Sequence, residues 1–127
     1  YELARAETRP RRLAITSDGG VWYVDYAGGI LGRLDPETGA VREVPLPGGA
    51  DSRPYGMAVD GEDRLWVAET GPRPNRILVF DTRTSEVIAR SDIPSGAGSI
   101  RHMYYDPVRE EVWFGTDANT VGRASLR

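Results

Sequence analysis

The chain has 127 residues, 39% of them apolar, which is a one-domain length with enough apolar material for a sizeable core. A net charge of −3 favours neither nucleic acid nor an anionic membrane surface, and the lack of Cys excludes a disulfide framework and thiolate metal sites. No apolar run approaches the roughly 20 residues of a membrane span, and no signal peptide opens the sequence.

In chain order, Tyr1 to Glu7 alternates weakly and reads as one short strand. Arg12 to Thr16 is an apolar strand, Ser17-Asp18-Gly19-Gly20 a tight turn, and Val21 to Asp25 the returning strand. Ile30 to Asp35 follows as a third strand, Pro36-Glu37-Thr38-Gly39 as a turn, and Ala40 to Leu46 as a fourth strand. The same order then repeats: Gly56 to Val59, a turn at Asp60 to Asp63, Arg64 to Ala68, Arg76 to Phe80, a turn at Asp81 to Ser85, and Glu86 to Ile93. A third copy supplies Arg101 to Tyr105, a longer turn from Asp106 to Glu110, Val112 to Gly115, and Val121 to Leu126.

Trp22, Trp66 and Trp113 hold the same place in each copy, so the period is 44 and then 47 residues. Units of that length with four short antiparallel strands are the signature of β-propeller blades. The expected class is therefore all-β, with three four-stranded antiparallel blades forming part of a six- or seven-bladed ring. Residues 8–49 are blade 1, residues 50–96 blade 2, and residues 97–127 blade 3 without its outer strand, while residues 1–7 are an orphan outer strand. Three blades cannot close a ring. Each open end would expose several hundred Å² of sheet face, and at roughly 25 cal/mol/Å² that forfeits on the order of 10 kcal/mol. A domain's net stability is only about 5 to 15 kcal/mol. Further blades are expected from a longer parent chain, which the opening Tyr1 in place of Met also suggests, or from a second copy.

The form Pro54-Tyr55-Gly56-Met57-Ala58, Asp60-Gly61, Leu65-Trp66-Val67-Ala68-Glu69 and Asn75-Arg76-Ile77 resembles the streptogramin B lyase family, also called virginiamycin B lyase. Blade 1 carries it as Val21-Trp22-Tyr23-Val24-Asp25 and Leu31-Gly32-Arg33-Leu34, and blade 3 as Trp113-Phe114-Gly115-Thr116-Asp117 and Asn119-Thr120-Val121-Gly122-Arg123. Propellers of the NHL and lactonase types share parts of the pattern. The resemblance implies a ring whose function lies at one mouth of the channel. There the start of each first strand meets the end of each second, bringing Arg11, Arg12, Asp25 and Tyr26 together with Arg53, Tyr55, Glu69 and Thr70, and with Arg101, His102, Thr116 and Asp117.

The resemblance further implies metal-assisted elimination that opens a cyclic ester, with His and Glu residues on neighbouring blades. The family's His positions are matched here by Arg11, Tyr55 and Arg101, and His102 stands one place later. The family's acid four residues after the last Trp is matched by Asp117. On this expectation His102 is the general base, because an imidazole exchanges a proton near neutral pH, and Asp117 is the second catalytic group and the ligand of a Mg²⁺ ion. Arg11, Tyr55, Glu69 and Arg101 would hold the substrate. The alternative is a propeller without catalysis, whose Arg-rich mouth binds a small anionic ligand or a protein partner. All sixteen basic residues are Arg, a coding bias that nonetheless supplies planar forks for anions. A periplasmic or secreted location is the expectation, with the cytoplasm left open. Asp18-Gly19, Asp60-Gly61 and Asp81 are turns, since the bidentate Glu of a calcium loop is missing.

Overall fold

The computed structural model describes residues 1–126. Strands β1 (Pro10–Ile15), β2 (Val21–Asp25), β3 (Ile30–Leu34) and β4 (Val41–Pro45) form the first sheet in sequence order. Strands β5 (Pro54–Val59), β6 (Arg64–Glu69), β7 (Arg76–Asp81) and β8 (Glu86–Asp92) form the second. Strands β9 (Met103–Asp106), β10 (Glu111–Gly115) and β11 (Val121–Ala124) form a third sheet of three strands. Every pairing is antiparallel, so the architecture is all-β and the chain is a stretch of propeller. Among the described residues no helix is long and apolar enough to cross a membrane.

The blades stack through alternate faces of their strands, as the period of two requires. Trp22, Val24 and Leu31 of blade 1 pack against Met57, Leu65, Val67, Leu78 and Phe80 of blade 2. Trp66, Ala68, Ile77 and Val79 on blade 2's opposite face pack against Ile100, Met103, Val112 and Phe114 of blade 3. Each wedging indole also has a polar anchor. Trp22 Nε1 donates to Thr16 Oγ1 at 3.2 Å and Trp66 Nε1 to Asp60 Oδ2 at 2.9 Å. Trp113 has the same place in blade 3 but is only half-buried, because its face has no following blade over it. Leu13 and Ile15 on blade 1 and Tyr104 and Val121 on blade 3 are exposed in the same way at the two open ends. Gly32 is required by close approach, since a Cβ there would lie 2.0 Å from the Tyr23 ring.

Two expectations need correction. Tyr1 to Glu7 is not a strand: it is a bend and turn folded onto blade 1, where the Tyr1 hydroxyl donates to the Pro36 carbonyl at 2.5 Å. Arg5 fixes this course through ion pairs with Asp25 at 2.9 Å and Glu43 at 3.2 Å, whereas an unpaired strand would leave its own N–H and C=O groups unserved. The first strand of blades 1 and 2 also starts earlier than the pattern suggests, at Pro10 and Pro54. Pro10 pairs with Asp25 and Leu13 with Tyr23, so Arg11 and Arg12 together oppose Val24 in a β-bulge. Tyr55 and Gly56 oppose Ala68 likewise.

Candidate functional site

These bulges aim side chains at the mouth. The Arg11 guanidinium carbon lies 5.1 Å from the centroid of the Tyr26 ring and 5.4 Å from that of Tyr55. Arg53 approaches Tyr26 at 5.6 Å and Arg12 approaches Tyr55 at 5.8 Å. The two rings meet edge to face, 5.9 Å apart at 78°. Cation–π contacts of this kind contribute about 0.5–1 kcal/mol each at exposed sites, so they orient the cations without neutralising them. Blade 3 joins through Arg101, whose carbonyl accepts from Arg12 Nε at 2.5 Å and whose Nη1 meets Asp117 Oδ1 at 2.8 Å. Arg101 and Asp117 therefore act as a pair, in which the Arg101 guanidinium holds the Asp117 carboxyl below the usual carboxylate range.

Glu69, expected to touch substrate, is instead fully buried beneath the rim. Its carboxylate accepts from Ser52 Oγ at 2.8 Å and pairs with Arg76 Nε at 2.9 Å. Asp25 is its counterpart in blade 1, equally buried and holding Arg5, the Arg9 amide and the Ala27 amide. Burial pushes the Asp25 carboxyl up, but the hydrogen bonds from Arg9 N, Arg5, Gly28 N and Ala27 N prevail and hold it low. Both acids sit three residues past the Trp, where the side chain returns into the blade. They are anchors of the rim backbone.

His102 is exposed and lines a shallow hollow of 490 Å³ with Arg11, Arg12, Met103 and Tyr104. Asp117 does not line that hollow; its carboxylate is turned to Arg101. A larger hollow of 690 Å³ follows the edge of β11 beside Ile77, Val79 and Ile93, away from the mouth. It is the groove between β8 and the unpaired edge of β11, with Arg90, Asp92 and Arg123 along its lining. Among the described residues no three His, Asp or Glu side chains converge. A Mg²⁺ ion takes near-octahedral oxygen ligation, so Asp117 with an Arg on it does not fit that ion unaided. Sequence reasoning placed Tyr26 and Arg53 at the mouth but gave them no role. The available signal was their position, Tyr26 directly after the end of β2 and Arg53 directly before the start of β5, which puts both beside the bulged residues Arg11 and Tyr55.

No family model matches the chain. Regucalcin from Gallus gallus is 39% identical over 80 aligned positions, taking in 54% of this chain and 27% of regucalcin. Among solved structures, a catalytically inactive His-to-Ala form of virginiamycin B lyase from Staphylococcus aureus, with quinupristin, superposes on the whole chain with a TM-score of 0.83 at 24% identity. A streptogramin B lyase structure does so with a TM-score of 0.74 at 26% identity. The chain spans 41% and 44% of the length of those two lyases.

Proposed function

We propose, from the premise of a virginiamycin B lyase-like propeller fold, that these blades form part of the mouth of a closed ring and that the mouth binds a small anionic organic molecule. The observation that carries this reading is Arg11 on its bulge, lying over both Tyr26 and Tyr55. An Arg fork meets a carboxylate through two parallel hydrogen bonds, and the exposed ring edges beside it accept the apolar remainder of the same ligand. Calorimetric titration of the complete protein with small carboxylates tests it. Arg11→Gln is expected to weaken binding by about tenfold, and affinity indifferent to that change would overturn the reading.

A second reading, elimination on a cyclic ester, is favoured by the fold likeness and by His102 standing beside Arg11 and Arg12. In it the imidazole removes a proton from the carbon next to the ester-bearing carbon. The C–H electrons become a C=C bond, the C–O bond breaks, and the carboxylate leaves toward Arg11 or Arg101. His102→Ala would then abolish the new double-bond absorbance on incubation with a depsipeptide lactone, with and without added Mg²⁺. Retained turnover would remove His102 from the chemistry. The remaining blades come from chain outside these residues or from a second copy. A sedimentation mass of twice 14.0 kDa for the 127-residue chain supports the copy.

A further inference from the structure

Two guanidinium groups at the mouth share one ring. Arg11 and Arg53 stand 5.1 and 5.6 Å from the Tyr26 centroid, so their central carbons are at most about 11 Å apart. Both are exposed, and among the described residues neither is ion-paired. The other two rim arginines are engaged: Arg12 on the Arg101 carbonyl, and Arg101 on Asp117. The mouth thus keeps two forks without an acidic partner, both lying against the Tyr26 ring.

Arg53 is also held where it is at a cost. Its φ of 43° lies in the left-handed region, which residues other than Gly, Asn and Asp seldom occupy. Its carbonyl is pinned by Thr70 N at 3.1 Å and Thr70 Oγ1 at 2.6 Å, and the next rung is closed by Gly71 N on the Ser52 carbonyl at 3.0 Å. Backbone strain that is over-determined by its surroundings concentrates at ligand clamps. Here it sends the Arg53 side chain onto Tyr26 from the side opposite in sequence to Arg11, so each fork comes from a different blade.

We infer that the site takes a small organic dianion of the dicarboxylate class, one carboxylate on Arg11 and the other on Arg53, with its carbon chain spanning the two past the edge of the Tyr26 ring. This rests on the reading of the mouth as an anion site. A monoanion satisfies one fork and leaves the other cation unpaired; a dianion pairs both.

Titration of the complete protein with short to long straight-chain dicarboxylates and with their monoesters separates the possibilities. The best diacid is expected to bind at least about tenfold tighter than its monoester, and Arg53→Gln to bring the diacid down to the monoester's affinity. Arg53→Lys, which keeps the charge but not the planar fork, is expected to recover only part of the preference. Equal binding of diacid and monoester that still depends on Arg11 would overturn the dianion inference and leave the anion site standing. No binding of either would remove both. A diacid preference that survives Arg53→Gln, in a variant with unchanged melting temperature, would overturn the assignment of the second carboxylate to Arg53.

Discussion

Blade 2 and blade 3 follow one pattern under different cover, and the difference separates what holds the ring from what the ring can offer a ligand. In blade 2 the residue three past the Trp is Glu69, fully buried on Ser52 and Arg76. In blade 3 that place is Thr116, whose hydroxyl caps its own turn by accepting from the Ala118 amide at 3.0 Å, and the carboxylate comes one residue later as Asp117. Successive side chains leave a strand on opposite faces. Glu69 still follows that alternation as the last residue of β6, whereas β10 ends at Gly115 and Asp117 stands in the bend beyond it, where half of its side chain meets solvent. The indoles tell the same story, with Trp66 sealed between two blades and Trp113 on an uncovered face.

The comparison breaks most visibly at the indoles. Trp66→Ala removes a buried wedge and leaves Asp60 without its indole donor, so a loss of about 4 kcal/mol is expected in denaturant unfolding. Trp113→Ala should cost less than half of that, about 1–2 kcal/mol, when the blades are present as this chain alone. Equal losses would mean that blade 3 is covered in solution, as a second copy or further blades would do. Next comes the acid. Glu69→Ala strips the partner from Ser52 and Arg76 and is expected to cost about 2 kcal/mol, at the low side for a buried pair because a quarter of Arg76 remains solvated. A loss below about 0.5 kcal/mol would return Glu69 to the list of ligand contacts.

The blades were legible in the sequence because the signals that write them are local: alternation, Asp-Gly turns and a Trp at fixed spacing. Arg11, Tyr55 and Arg101 were found at the mouth for the same reason, by counting from Pro or from its equivalent. The roles were less legible. Burial of Glu69 depends on Ser52, seventeen residues away and carried on the short 3₁₀ turn Gly49–Ser52, which no strand pattern announces. The N-terminal segment reads as a strand by its alternation, yet its course is decided by Arg5 finding Asp25 and Glu43 across the blade. Tyr26 and Arg53 become a pair only with Arg53 in the left-handed conformation that closes the same 3₁₀ turn.

Acid sharpens the contrast more gently. Burial pushes the Asp60 carboxyl up, but the Trp66 indole, the Arg64 side chain and the Arg64 and Glu62 amides outweigh it and hold the group below its ordinary 3.8. A carboxyl lowered on folding stabilises the native state fully above the unfolded value and loses that contribution as pH falls through the folded one. The unfolding midpoint should therefore drop between about pH 4 and lower values, and Asp60→Asn should flatten that drop while lowering stability at neutral pH. An identical slope in the variant would mean that other carboxyls carry the acid sensitivity.

The smallest expected effect on stability is the most informative about the mouth. Both members of the Arg101–Asp117 pair are about half exposed, and solvent screens pairs of that kind until they contribute little to stability. Asp117→Asn should leave the unfolding midpoint nearly unchanged, in contrast to Glu69→Ala. Its effect on binding has the opposite sign to ordinary damage. Removing the carboxylate releases the Arg101 fork beside Arg12 and takes a negative charge from the rim, so a small carboxylate should bind a few-fold tighter, most clearly at low salt where the Debye length is long. Raising the salt should erase the gain, because an unchanged gain would point to a shape effect and not to charge. If Asp117→Asn instead weakens binding and abolishes turnover of a cyclic ester, the acid belongs to the chemistry. Blade 3 would then differ from blade 2 by supplying a reacting group, and its one-residue slip would be the step that converts a structural anchor into a catalytic one.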